Sequence, residues 1–355
     1  MRILYSYNKR GAEAAFWQRE IAAASDARFT FIPFNHDPFV DTARYLRAQA
    51  LDNLYFDSSA GLMRLYDEVQ RRIAAEAIDV LFVDNCAPYH PDWLRNLDVY
   101  KVLRTSDGPL AAYDRDFAYA HAYDLMMYHS PAYSRDMGIA EKLQYLNVES
   151  SAFLPLGVFD ETFSPTLQEE QLFGLERDID VVFIGAMHLG KMPFLAKIKK
   201  ALGPRCRMHG LTSLKRNLYF NAKYGFPGWI RPIPQSAYPA LYQRAKIGFN
   251  LHNRGKYTVG SYRLFELPAN GVMQISDGDE HLGAFFADGD EIVGYRDADV
   301  DDLIGKIEYY LKHEAERLRI ARNGYRRTMR DYRIADVLRR AGALIHDTMH
   351  QRRSA

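Results

Sequence analysis

The 355-residue sequence predicts an α/β protein of two tandem, doubly wound parallel-sheet domains, on three observations. The chain is too long for one ordinary core and suits two domains of roughly 150 to 200 residues each. Short apolar runs alternate with helix-length amphipathic stretches, the strand–helix–strand rhythm of parallel sheets flanked by helices. That rhythm pauses once, at Phe153-Leu154-Pro155-Leu156-Gly157-Val158, and resumes after Phe163-Ser164-Pro165. The pause sets a boundary near residue 160.

In the first half, strands are expected at 2–7, 28–34, 79–83, 99–104, 125–129 and 143–148. Amphipathic helices at 12–24 and 61–77 separate them, with apolar residues recurring every three or four positions. In the second half, strands are expected at 179–184, 205–209, 229–233, 247–251, 272–276 and 291–295. Helices fall near 194–202, 238–245, 262–269 and 300–313. The stretch 334–350 is amphipathic and comes after the second sheet is complete. The domains expected are thus 1–160, 161–333 and a C-terminal helix within 334–355 that can pack back on the first domain. Two such sheets bind ligands beyond the carboxyl ends of their strands.

Composition excludes several classes. Lys plus Arg number 46 against 45 Asp plus Glu, a net charge of +1, so no global field draws the chain to nucleic acid or lipid. Cys86 and Cys206 stand far apart, without the spacing of a disulfide framework or a zinc site. The first residues are strand-like and unlike a signal peptide, and no apolar run is long enough to span a bilayer. The expected address is the cytoplasm. The Arg-rich end, Gln351-Arg352-Arg353-Ser354, reads as a solvated helix end or a weak membrane-surface patch, giving a peripheral membrane location as the alternative.

The most informative segment runs from Lys246 to Asp277. A strand ends in Asn250-Leu251-His252, a Gly-containing loop follows, and a helix starts near Ser261 and stops at Gly271. Gly260 lets the backbone turn closely, Ser261 can cap the helix, and free amides there point at an anion. Arg263, one turn in, suits a diphosphate. Glu266 lies one turn after Tyr262, placing a carboxylate deeper, where it can accept hydrogen bonds from ribose hydroxyls.

The run Arg263-Leu264-Phe265-Glu266-Leu267-Pro268-Ala269-Asn270-Gly271 resembles the R-x-F-E-x-x-A-x-G signature of CgeB-like glycosyltransferases. These belong to the GT-B group, whose two facing Rossmann-like domains enclose a cleft. Gly289-Asp290-Glu291-Ile292-Val293-Gly294-Tyr295-Arg296-Asp297 and Arg322-Asn323-Gly324 resemble the same family's tail. Ala122-Tyr123-Asp124-Leu125 and 155–165 resemble its domain junction, so the likeness covers roughly residues 79 to 335.

The resemblance implies a nucleoside diphosphate sugar (UDP-, GDP- or TDP-linked) as co-substrate, with no cofactor and no metal. It also implies retention at the anomeric carbon. Glu266 matches the second of two glutamates that the wider group places eight residues apart; the first falls at Thr258, which is not acidic. The loop Gly185-Ala186-Met187-His188-Leu189-Gly190-Lys191 would approach the diphosphate, with Gly185, His188 and Lys191 as its contacts. Arg231 would sit near the nucleobase. Asn250, His252, Gly260, Ser261 and Tyr262 complete the donor set.

Acceptor-side candidates at strand ends of the first domain are Asp84-Asn85, His90, Ser106-Asp107 and His121. An inverting course would need a base there, Asp107 or His90. Asp107 reads equally as a turn aspartate, and His90, His121 and His129 as packing or surface residues. The Asp-Gly-Asp triplets at 277–279 and 288–290 read as turns. Alternative functions on this fold are a nucleotide-sugar epimerase and a non-catalytic nucleotide-sugar-binding or assembly protein. The sequence leaves the acceptor and the oligomeric state open, and no nucleic-acid partner is expected.

Overall fold

The computed structural model describes residues 1–40, 60–85, 88–106, 119–131, 139–145, 148, 150–164, 166–252 and 260–354. It divides into two compact units, one of residues 1–156 with 334–355 and one of 157–333.

The first unit holds a six-stranded sheet of β1 (Arg2–Tyr7), β2 (Thr30–Asn35), β3 (Val80–Asp84), β4 (Tyr100–Thr105), β5 (Leu125–Tyr128) and β6 (Ser151–Phe153). All neighbours are parallel, in the order β2-β1-β3-β4-β5-β6. Its described helices are α1 (Gly11–Ala23), α2 (Ala60–Ala75), α3 (Pro91–Arg95), α4 (Ile139–Tyr145) and, from the chain's end, α12 (Ile334–Ser354). Strand β3 is buried along its whole length, as a central parallel strand covered on both faces must be. Arg104, near the end of the interior strand β4, is buried, its Nη1 donating to Tyr5 Oη at 3.0 Å and its Nη2 to the Leu156 carbonyl at 3.0 Å. Helix α12 lies on α1, where Arg339 donates to the Ala23 carbonyl at 2.9 Å.

The second unit holds β7 (Ile179–Ile184), β8 (Cys206–His209), β9 (Ala245–Asn250), β10 (Met273–Ser276) and β11 (Val293–Gly294). These are again all parallel, ordered β11-β10-β9-β7-β8. Its helices are α5 (Glu169–Phe173), α6 (Met192–Leu202), α7 (Leu214–Tyr224), α8 (Tyr238–Gln243), α9 (Arg263–Ala269), α10 (Val300–Lys312) and α11 (Glu314–Asp331). One core joins β7, β9 and β10 to α6, α10 and α11 through Phe183, Leu195, Ile247, Ile275, Leu303 and Ile320. The incoming and outgoing segments of the unit pair with each other, Val158 N donating to the Tyr332 carbonyl at 2.7 Å.

Two expected strands are corrected. Within 143–148, Leu143 to Tyr145 end a helix instead: Ile139 and Leu143 share one face of α4, and Val148 N donates to the Leu143 carbonyl. The sixth strand lies later, with Ser151 opposite Met126. Residues 229–233 make a single bridge, Arg231 with His209; Pro232 and Pro234 remove the amide donors that a longer ladder needs. Helices α7 and α11 were not expected from the pattern.

Candidate functional site

The second unit gathers polar residues at the carboxyl ends of β7, β9 and β10, where parallel sheets place ligands. Gly185 follows β7, Asn250 ends β9 and Asp277 follows β10. Arg263 opens α9 and reaches across them. Its Nη1 donates to Asn250 Oδ1 at 2.9 Å, and its Cζ stands 5.3 Å from the centre of the Phe183 ring. Its Nε is buried with no partner among the described residues, so a charged donor is left for a ligand.

A chain of hydrogen bonds sets how Arg263 is held. Asp277 is fully buried and accepts from the His252 backbone amide at 2.8 Å and from His252 Nδ1 at 2.6 Å. With its proton on Nδ1, the imidazole offers Nε2 as acceptor to Asn250 Nδ2, at 3.3 Å. The same Nδ2 stands 3.3 Å from Ser261 Oγ. The amide of Asn250 therefore turns its oxygen to Arg263. The Asn250 carbonyl accepts from Tyr295 Oη at 3.2 Å, holding the strand end.

Glycine is required at two points. Gly260 has φ +111°, which residues with a side chain rarely adopt. At Gly185 a Cβ would lie 2.6 Å from Arg263 Nη2 and 3.0 Å from Phe183 Cζ. The nearest atoms end the flexible Arg263 side chain, and the buried Phe183 ring need give by only a few tenths of an ångström, so Gly185→Ala should keep the fold and push the guanidinium away. A displacement of this size is expected to lower turnover on the order of 100-fold, with an unchanged melting temperature as the control for folding.

Glu266 lies one turn beyond Tyr262, its amide bonded to the Tyr262 carbonyl. Its carboxylate makes no hydrogen bond or ion pair among the described residues. Burial pushes its pKa up to about 7, against the opposing pull of the Arg263 charge. Lys191 is buried and donates from Nζ to the Leu251 carbonyl at 2.5 Å. Burial, then the neighbouring Arg263 charge, bring its pKa down to about 8, with Asp277 opposing. Three ionisable groups thus converge where two cations would answer an anion.

Other expected residues stand elsewhere. Ser261 does not cap α9 with its side chain: the helix begins from Tyr262, already in helical geometry, while the Ser261 carbonyl accepts from Leu264 N. His188 is largely exposed; partial loss of solvent around its ring, then the charges of Lys191 and Arg216, lower its pKa. The Arg231 side chain is exposed, and its carbonyl accepts from Gly210 N at 3.4 Å. Tyr262 sets its ring 5.9 Å from that of Phe159.

In the first unit, His90 caps α3, its Nδ1 accepting from Asp92 N at 3.1 Å, and burial lowers its pKa. Asp84 accepts from Tyr5 Oη at 3.0 Å. Asn85 donates to Ser106 Oγ at 2.9 Å. His129 is buried with Nδ1 2.7 Å from the Thr105 carbonyl, while His121 is exposed. Asp107, Cys86 and Thr258 lie outside the described residues.

Asp277 corrects the reading of 277–279 as a turn alone. Its carboxylate is the buried anchor of His252. The signal was available in outline, because Asn250 and Ser276 are register partners on adjacent strands, and the polar residues that follow them meet. Asp288 does serve a turn, its Oδ1 accepting from Gly294 N at 2.7 Å.

Residues 192–342 match the family described as glycosyl transferase-like. No curated protein matches the sequence significantly. Among solved structures, the chain resembles the sucrose-phosphate synthase of Thermosynechococcus elongatus at 12% identity, with a TM-score of 0.63 over 99% of both chains. It also resembles a glycosyltransferase of Rickettsia africae at 11% identity, with a TM-score of 0.61 over 98% of both chains. Anabaena HepE in complex with UDP is similar at 12% identity, with a TM-score of 0.62 over 98% of this chain and 100% of that one. The fold is that of the GT-B glycosyltransferases, with two parallel α/β units.

Proposed function

We propose that the chain is a glycosyltransferase of the CgeB-like branch that moves a hexose from a nucleoside diphosphate to an acceptor, with retention and without a metal. The observation that carries this reading is Glu266, a carboxylate with no partner among the described residues, one turn from an arginine whose buried Nε is unpartnered. A half-buried carboxylate without a hydrogen-bond partner, beside a guanidinium with a spare buried donor, is costly unless a ligand answers both. A nucleoside diphosphate answers both, its ribose hydroxyls donating to Glu266 and its phosphates accepting from Arg263. The glycosyl transferase-like match and the likeness to a UDP-bound structure support the same donor class.

In this reading the bond from the anomeric carbon to the diphosphate breaks as the acceptor oxygen bonds that carbon. The acceptor proton passes to the departing phosphate oxygen, and Arg263 and Lys191 stabilise the charge that develops there. A product with inverted anomeric configuration would overturn the retaining course and return attention to a base such as Asp107.

Protonation bounds the activity. Glu266 accepts hydroxyl protons as a carboxylate, above about 7, and Lys191 carries its charge below about 8. Nucleotide affinity is therefore expected to peak between those values, with Glu266→Gln flattening the acid limb and Lys191→Met the alkaline one. Stability gives an independent sign. Because the folded pKa of Glu266 exceeds its ordinary 4.5, the folded chain holds a proton that the unfolded chain releases. Stability falls as pH rises through that window, and Glu266→Gln removes the fall.

A thermal-shift screen against UDP, GDP, TDP, ADP and CMP, with and without EDTA, tests the function. One diphosphate should raise the melting temperature by several degrees, indifferent to EDTA and lost in Glu266→Ala. No shift with any nucleotide would leave the fold without a donor and favour a binding or assembly role.

A further inference from the structure

The net charge of +1 conceals a strong segregation. Across residues 181–265 the sequence carries fifteen Lys and Arg and no Asp or Glu. Carboxylates outside the stretch answer some of these cations: Arg205 pairs with Glu308, Arg244 with Asp178 and Lys246 with Asp180. Lys215, Arg216, Lys223 and Arg231 are exposed and have no carboxylate partner among the described residues.

The same surface is unusually apolar. Helix α7 buries Asn217 and Phe220 and turns Leu214 and Leu218 outward, 67% and 55% exposed. Leu211, just before it, is 80% exposed, and Trp229, just after it, 52%. Single exposed leucines are ordinary, but a cluster with a tryptophan on one helix and its flanks is not. The tryptophan is held in place. Asn217 accepts from Ile230 N at 3.0 Å and donates to the Ile230 carbonyl at 3.1 Å, while Asn221 donates to the Gly228 carbonyl at 2.9 Å. Both chain neighbours of Trp229 are thus tethered to α7. Lys223 Nζ stands 5.3 Å from the centre of the Tyr219 ring, so cationic and aromatic groups share this face.

We infer that the α7 face of the second unit docks on an anionic lipid bilayer. Leucine and tryptophan enter the boundary between headgroups and acyl chains, and the unpaired cations meet the anionic headgroups beside them. Charge separates this occupant from the others. Nucleic acid answers the cations and leaves the leucines in water, whereas a second copy would bury the leucines and bring like charges together. Anionic lipid satisfies both sets of groups. The inference rests on this surface alone and stands apart from the transferase reading.

Flotation of the full chain with vesicles tests it. Binding is expected to vesicles of equal parts phosphatidylglycerol and phosphatidylcholine, and not to phosphatidylcholine alone. Lys215→Gln and Arg216→Gln should each weaken partitioning roughly five-fold. The pair Leu218→Ser and Trp229→Ala should weaken it by at least about ten-fold. These side chains are exposed, so melting temperature and nucleotide-induced shift should match the parent, which separates this test from that of the donor site. Absence of binding to the anionic vesicles overturns the inference, as does binding that the Leu218 and Trp229 variants leave intact. A dimer in sedimentation velocity that Leu218→Ser dissolves would also overturn it, assigning the face to a second copy.

Discussion

Replacing Arg263 by alanine is expected to lower turnover of a nucleoside diphosphate sugar by roughly 100- to 1,000-fold, the cost of removing a preorganised charged donor from a developing anion. Arg263 is aligned before any ligand arrives, by Asn250 on one side and the Phe183 ring on the other. Lysine keeps the charge but not the planar fork, and a compact ammonium cannot engage Asn250 and a phosphate in the same geometry. Arg263→Lys should therefore recover little. The measurement is kcat/KM for both variants against the parent, with the nucleotide-induced thermal shift read in parallel. Activity equal to the parent in the alanine variant would remove the diphosphate from this residue.

The largest effect on stability is expected at Asp277. Removing its carboxylate strands the His252 amide and the Nδ1 proton in a buried site, at a cost of about 2 to 4 kcal/mol. Asp277→Ala should therefore unfold the second unit several degrees earlier. Asp277→Asn retains one acceptor and should fall between that variant and the parent. Both should weaken nucleotide binding as well, because the tautomer of His252 orients Asn250, and Asn250 orients Arg263. An alanine variant as stable as the parent would show that Asp277 is not the anchor of this network.

Much of the fold was legible because its signals are local. The strands at 2–7 and 179–184 coincide with β1 and β7, where mainly apolar runs, broken only by Ser6 and Asp180, mark buried parallel strands. The misreadings have equally local causes. Leu143 to Val148 is apolar enough for a strand, yet its apolar residues are spaced for a helix turn. Around Arg231 the prolines decided the matter against an apolar run. Helix α11 is hard to read from apolar periodicity because it is rich in arginine, and its buried face, Ile320, Ala321, Gly324 and Thr328, is narrow.

For the site, the sequence by itself determined which groups could serve. Arg263 and Glu266 fall within one helical turn, and Gly260 supplies a backbone turn that other residues resist; both follow from spacing and residue type. The segregation of fifteen cations was also present in the sequence, hidden beneath a balanced total. Only the tertiary structure decided which of these groups meet. His252 and Asp277 stand 25 residues apart and touch because β9 and β10 are neighbours in register. Gly185 lies under Arg263 because β7 adjoins β9. The cations and leucines of α7 became a surface because Asn217 and Phe220 took the buried side. Periodicity along a chain reports what each residue prefers, whereas strand adjacency is settled by the burial of the whole sheet, and the site is made of adjacencies.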